Sequence, residues 1–161
     1  VPLGWPAMSQ RVVAWGQELR EIHRRLRDAL GVARAAVEDG ASGPAATRDL
    51  QLYCVGFCAA LTGHHRAEDT TLFDVVLAAR PDLAPVVADL KRDHSMLDHL
   101  LGELERAALS GHDRDELLRH LDGIEAVMET HFRYEEKKLV TVLDDAERPA
   151  SDRQALLGPF A

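Results

Sequence analysis

The chain has 161 residues, enough for one domain with a hydrophobic core, and only 5% of them are aromatic, so aliphatic side chains must fill that core. The formal net charge of −8 argues against nucleic acid and anionic membranes as partners. No apolar run approaches the roughly 18 residues of a transmembrane helix, and no signal peptide is visible. We expect one cytoplasmic domain spanning residues 1–161, with a core near 7–147 and a short C-terminal tail.

Four long segments carry apolar residues at three- and four-residue spacing, which is typical of amphipathic helices, and stretches rich in Gly, Pro, Ser and Asp separate them. The predicted helices span residues 7–38, 46–79, 83–109 and 113–147. In the second helix, the apolar series ends with Leu72, Val75 and Ala79. Because short connections make neighbouring helices antiparallel, we predict an all-α fold, an up-down-up-down antiparallel four-helix bundle.

Two cysteines, Cys54 and Cys58, lie one helical turn apart on the second predicted helix. A disulfide across a single turn would constrain almost nothing, and free cysteine is often buried. We interpret both as small core residues, and nothing about them implies an oxidising compartment.

Ionisable residues interrupt the apolar series of all four predicted helices, where such groups are unfavourable unless something compensates them. The residues are His23 on the first helix, His64 and Glu68 on the second, His94 on the third, and His131 and Glu135 on the fourth. Side chains four residues apart share a helix face, so each His–Glu pair can contact one region of the core. This pattern favours a metal site.

The residue counts around the turns place these side chains at one level of the bundle. Around Gly43, His23 lies 20 residues before and His64 lies 21 after; around Pro81, Glu68 and His94 each lie 13 away. The largest mismatch, three residues around the third turn, corresponds to about 4.5 Å of helix. A carboxylate can bridge two cations, and imidazole suits iron, copper or zinc, so a dinuclear metal site would compensate all six groups.

The stretches HHRAED at 64–69 and HFRYEE at 131–136, together with the isolated His23 and His94, resemble the hemerythrin-like (HHE cation-binding) family over roughly residues 12–145. This resemblance implies a di-iron centre, in which two iron ions are bridged by two carboxylates and an oxo or hydroxo group. It also implies binding of, or reaction with, dioxygen, peroxide or nitric oxide, or sensing of iron and oxygen. His23, His64, His94 and His131 would then be terminal ligands, with Glu68 and Glu135 as bridges.

One feature departs from the family pattern. The oxygen-carrying relatives use five histidines, two of them four apart on the third helix, but here the residue four after His94 is Asp98. Asp98 could ligate, hydrogen-bond to a ligand or leave a position for water, and His65 could supply a replacement ligand, because a neighbouring position on this helix supplies one in some relatives. A shell with fewer histidines favours oxygen activation over carriage. His99, His112 and His120 are interpreted as surface or packing residues.

We therefore expect a non-haem di-iron protein that binds or activates dioxygen, peroxide or another small molecule, with oxidative chemistry as the first interpretation. A non-catalytic sensor or carrier of oxygen, iron or nitric oxide is the alternative, and a mononuclear or zinc-filled structural site is a third. A cavity reaching the metals would favour an enzyme, whereas a closed pocket with an apolar outer patch would favour a sensor.

Overall fold

The computed structural model describes residues 13–39, 44–111 and 113–159. These ranges contain helices and no β-strand, which confirms the predicted all-α class. The helices are α1 (Trp15–Glu38), α2 (Pro44–Ala67), α3 (Phe73–Ala79), α4 (Ala84–Leu109), α5 (Arg114–Asp144) and α6 (Arg153–Leu157). None of the helices in the described ranges has both the length and the apolar composition that crossing a bilayer requires.

Each of the four long helices packs on two others: α1 on α2 and α5, and α4 on α2 and α5. The helices therefore enclose a common core, which the apolar stripes of all four fill. Leu19, Leu61, Leu97 and Leu121 are fully buried there. Cys54 and Cys58 are free and buried, as expected for small core residues.

Cross-helix hydrogen bonds pair residues in opposite order along the chain. Gln51, near the start of α2, donates to the carbonyl of Ala108 near the end of α4. At the opposite end of the same interface, His94 Nδ1 lies 2.8 Å from Asp69 Oδ1. Residues at one level of the core therefore come from distant parts of the sequence.

Local sequence signals explain the turn between α4 and α5. Gly111 adopts a positive φ of 72°, a conformation that glycine enters without steric cost after the end of a helix. Asp113 then caps α5 by accepting a hydrogen bond of 2.8 Å from the backbone N–H of Glu116. α4 ends at the predicted residue 109, and α5 begins one residue after the predicted start at 113.

The second predicted helix contains a wider turn that the sequence pattern did not indicate. Residues Glu68–Leu72 form a π-helical turn between α2 and α3, in which the backbone N–H of Phe73 reaches back to the carbonyl of Glu68. This turn shifts the buried face by one residue. Phe73 and Val76 are buried instead of the predicted Val75 and Ala79, which are half-buried and exposed.

The predicted C-terminal tail contributes to the core. A 3₁₀ turn at Ala150–Asp152 leads into α6, which packs against α2 and the π turn. Leu156 and Leu157 are buried. The described hydrophobic core therefore extends beyond residue 147.

Gly16 lies where the backbones of α1 and α5 approach each other closely. Its backbone N–H donates to Asp144 Oδ1 at 3.0 Å, and a Cβ at this position would lie 2.6 Å from the carbonyl oxygen of Val140. Gly16→Ala should therefore lower the free energy of unfolding by about 1–3 kcal/mol, because the two backbones must separate.

The matched control is Gly31→Ala on the same helix, since a Cβ on the exposed Gly31 meets nothing within 4 Å. That change should raise the free energy of unfolding by up to ~1 kcal/mol through helix propensity. Denaturant unfolding of the two variants measures both effects. Equal stabilities would show that α1 and α5 are not in close contact at Gly16.

Candidate metal centre

Seven ionisable side chains are buried together in the interior, each at most 2% exposed. They are His23, His64, His65, Glu68, His94, His131 and Glu135. Within the described ranges, these seven are all of the buried polar and charged residues. Such groups are stable in an apolar interior only when charges, hydrogen bonds or a cation compensate them.

Glu68 lies between histidines of two helices because it opens the π turn. Its Oε1 atom lies 3.2 Å from Nε2 of His64 on α2 and 3.4 Å from Nε2 of His94 on α4. π turns are rare and frequently occur at functional sites. Here the turn carries a carboxylate that contacts both sides of the cluster.

Glu135 has a similar position on the opposite side of the cluster. Its Oε1 lies 3.1 Å from Nε2 of His23 on α1, and its Oε2 lies 3.5 Å from Nε2 of His131 on its own helix, α5. Each glutamate therefore contacts two histidines that come from different helices.

The side chains form two overlapping groups whose ligand atoms lie within 4.8 Å of one another, a spacing that could hold a metal ion in each. One group contains His65, Glu68, His94 and His131, and the other contains His23, His64, Glu68 and Glu135. Glu68 belongs to both. A carboxylate shared between two ligand groups is compatible with a dinuclear site, because a carboxylate can bridge two cations.

Four of the histidines form Nδ1 hydrogen bonds with oxygen atoms of residues outside the seven-residue cluster. The contacts are His23 to Glu136 at 3.0 Å, His64 to the carbonyl of Leu157 at 2.8 Å, His94 to Asp69 at 2.8 Å, and His131 to Asp93 at 3.1 Å. A carbonyl or carboxylate oxygen only accepts, so each Nδ1 carries the hydrogen. In the neutral ring, the Nε2 lone pair is then free to bind a metal, and such outer contacts typically orient metal-binding histidines.

The geometry of His94 and His131 fits ligation of one ion. Their Nε2 atoms are 3.1 Å apart. With both Nδ1 atoms protonated, two lone pairs face the same region, which is repulsive without a cation. Two nitrogen ligands about 2.1 Å from one ion, at a right angle, would lie about 3.0 Å apart.

Several buried polar atoms of the cluster lack a hydrogen-bond partner in the protein. They are Nε2 of His64, both ring nitrogens of His65, both carboxylate oxygens of Glu68 and Oε2 of Glu135. Leaving a buried polar atom unpaired costs about 1–3 kcal/mol. A cation bound by these nitrogens and oxygens would compensate most of them at once, so the residues present fit a metal.

The environment keeps three of the histidines neutral. Burial, reinforced by the neighbouring charge of His23, lowers the pKa of His64 to about 3. Burial is also the main cause that lowers the pKa of His131 and holds the pKa of His65 well below its usual value. These imidazoles are therefore free of a competing proton at neutral pH, as metal ligands must be.

The surroundings shift the pKa values of the two buried carboxylates in opposite directions. Burial, together with the adjacent Glu135, raises the pKa of Glu68 well above its usual value. Burial also disfavours the charged form of Glu135, but the hydrogen bond with His23 and the nearby His131 hold its pKa below the usual range. For His23, the hydrogen bonds with Glu135 and Glu136 outweigh burial and raise its pKa. Metal cations would replace the protons that stabilise these groups.

Residues 17–143 match the family model described as the hemerythrin HHE cation binding domain. The chain belongs to the hemerythrin HHE cation-binding family. This confirms the resemblance that the histidine and glutamate pattern indicated. Comparison with curated proteins and with solved structures gave no match.

In this hemerythrin-like domain, the six histidines and glutamates that interrupt the apolar stripes lie together in the core with His65. Asp98, the other predicted candidate, lies outside this cluster. Asp98 is exposed on α4 and lines a surface groove of about 490 Å³ with Cys58 and Arg66. None of the seven buried residues lines that groove. The spacing of four from His94 places Asp98 at the outer edge of the buried stripe, where Leu97 and Leu101 take the inward positions.

His65 joins the cluster from a face of α2 different from that of His64, since neighbouring residues point about 100° apart around a helix. α2 packs against both α1 and α4, so it can present ligands to both sides. The His65 ring stacks on His94, with ring centroids 3.9 Å apart.

The other histidines lie outside the cluster. His99 is exposed beside Glu103, and His120 is partly exposed beside Glu116. His112 lies outside the described residues.

The outer carboxylates went unrecognised in the sequence, although they are adjacent to predicted ligands. Asp69 follows Glu68, Glu136 follows Glu135, and Asp93 precedes His94. An acidic residue next to a predicted ligand could have indicated these contacts, because its carboxylate can accept a hydrogen bond from a histidine of the neighbouring helix. The contact with Leu157 uses the backbone and leaves no trace in side-chain composition.

Asp93 and Asp98 provide a matched test on one helix. Asp93→Ala removes the acceptor of His131 Nδ1 and should weaken binding of the first metal equivalent by about 10–100-fold, because the ring loses its orientation. Asp98→Ala should leave the affinity unchanged. Competition between protein and a chelator for Zn²⁺ measures both. Equal weakening would mean that Asp98 acts on the centre despite its exposed position.

Proposed function

We propose that this domain binds two iron ions between its overlapping ligand groups and that the resulting centre binds dioxygen or peroxide. The observation that carries the proposal is the sharing of Glu68 between two groups of ligand atoms. One ion would be held by His65, His94 and His131, and the other by His23 and His64. Glu68 and Glu135 would contact both.

The donor set favours iron over several other metals. It consists of imidazole nitrogens and carboxylate oxygens, a mixture suited to iron and also accepted by zinc. The two cysteines of the described core are not part of either ligand group. Iron adds what zinc lacks, since the chemistry that a pair of iron ions supplies is two-electron exchange with a small oxidant.

The two sides of the centre are unequal, which gives a place for a small molecule. Three histidines serve one side and two serve the other. The side with His23 and His64 therefore has one histidine fewer, which we take as the place for an added molecule.

Burial limits the size of that molecule. Phe132 stacks on His23 at 3.8 Å between ring centroids, and Phe73 covers His94. These rings shield the cluster from bulk water, and its near-complete burial favours a small molecule such as dioxygen or peroxide over an organic substrate.

His65 favours a second candidate function, a reversible carrier or sensor. The expectation of oxygen activation over carriage rested on Asp98 in place of a fifth histidine. With His65 in the cluster, five histidines face the centre, which is the number that the family resemblance gives for oxygen carriers. The order of the cross-helix contacts also supports the up-down-up-down four-helix topology of such proteins.

Metal content tests the dinuclear proposal. The parent protein should bind about two iron ions per chain after anaerobic loading with Fe²⁺. Glu68→Gln should lose most of both ions, because the shared carboxylate contacts both groups, whereas His65→Ala should lose mainly one. Glu103→Gln at the surface is the control and should keep both. One equivalent of zinc, retained after iron loading, would support the structural-site alternative instead.

Reaction with oxygen tests the function. Mixing the reduced, iron-loaded protein with dioxygen in a stopped-flow spectrometer should give a new visible absorbance band, absent from Glu68→Gln. Purging with argon then separates the candidates: a band that disappears and returns with oxygen supports carriage, and a permanent change supports oxidative chemistry. No spectral change with oxygen or peroxide would contradict the proposal.

A further inference from the structure

The C-terminal segment, residues 150–159, lies against the part of the cluster that contains His64. Its helix, α6, packs on α2 and on the π turn that begins at Glu68. Leu156 and Leu157 insert into the core with 1% exposure. The segment therefore lies against the two-histidine side and contributes none of the candidate ligands.

The segment contacts a ligand directly through its backbone. His64 Nδ1 donates to the carbonyl oxygen of Leu157 at 2.8 Å. The other three Nδ1 contacts use carboxylate side chains, which can rotate to follow a ring. A backbone carbonyl cannot, so the position of the whole segment sets the orientation of His64.

Gly158 makes this close approach possible. Its φ of 100° is strained for any residue with a side chain, and a Cβ there would lie 2.9 Å from His64 Cα and 3.0 Å from the carbonyl oxygen of Gly63. Its backbone N–H also donates to Gln154 at 2.9 Å and ends α6. Any larger residue must move the segment away from His64.

The segment is anchored at its base through polar contacts with α1. Trp15 Nε1 donates to the carbonyl of Arg148 at 3.1 Å, and Arg153 pairs with Glu18 at 3.0 Å. The Arg153–Glu18 pair is about one-third exposed, so it contributes little. Docking of the tip therefore depends on the two leucines, Gly158 and the bond to His64.

We propose that residues 150–159 form a lid over the two-histidine side of the centre, and that the Leu157 carbonyl is a positioning group for His64. Docking of the lid and metal binding at His64 then stabilise each other, because coupling between two sites is reciprocal. The metal-retention part of this proposal rests on the proposed dinuclear metal binding. The orientation of His64 does not depend on it.

The first test compares Gly158→Ala with Gly123→Ala, since Gly123 is exposed on α5 and a Cβ there meets nothing within 4 Å. Both proteins are loaded with Fe²⁺ without oxygen, and release is followed with a colorimetric ferrous chelator. Gly158→Ala should release half of its iron at least about tenfold faster than Gly123→Ala, and the other half at the same rate. Identical release from both variants, or equal acceleration of both halves, would overturn the lid.

A second measurement uses the parent protein and so does not depend on whether Gly158→Ala folds. Hydrogen exchange is compared between metal-free and Zn²⁺-loaded protein. Zinc should slow exchange of the Gly158 amide by at least about tenfold through the coupling to His64. Unchanged exchange in protein that has bound zinc would overturn the coupling.

Histidine NMR separates failure of this proposal from failure of metal binding. In metal-free parent protein, ¹⁵N shifts should show His64 with its hydrogen on Nδ1, and Gly158→Ala should lose that preference. The result holds whether or not the parent binds iron. A parent ring with its hydrogen on Nε2, or an unchanged tautomer in a folded variant, would overturn the positioning role of Leu157.

Discussion

The burial of five imidazoles and two carboxylates in one layer of an aliphatic core governs the rest of this structure. Desolvating such groups is unfavourable, and the surrounding residues reduce the cost from outside by holding Nδ1 atoms with carboxylates and one carbonyl. These outer contacts leave nitrogen and oxygen lone pairs directed at each other inside. The interior is therefore organised for cations, and the helices around it supply the rigidity that keeps the lone pairs close together.

Helical periodicity was sufficient to find six of the seven buried ionisable residues, because a histidine or glutamate within an apolar stripe faces the core. It was insufficient for His65 and Asp98. His65 faces the core because α2 has two neighbouring helices, and Asp98 faces outward because it lies at the edge of its stripe. Both outcomes depend on the packing of other helices, which spacing along one helix does not encode.

Features made by the backbone were also beyond the sequence pattern. The contact of Leu157 with His64 involves a carbonyl that every residue has, and the docking of α6 depends on contacts between segments about 90 residues apart. The sequence analysis predicted only a short tail after residue 147. By contrast, the all-α class and the turns after α3 and α4 follow from local composition and agree with the structure. The family membership follows from the motif and agrees with the family model.

The π turn at Glu68–Leu72 separates α2 from α3, and its extra residue rotates the buried face of α3 relative to that of α2. α2 and the start of the turn place His64 and Glu68 at the centre, and α3 places Phe73 and Val76 in the core. Deleting one residue between them would restore an unbroken α-helix but would satisfy only one of these demands. The length of this stretch is thus set by two independent requirements, so an alignment that treats it as regular helix would misplace the core positions of α3 by one residue.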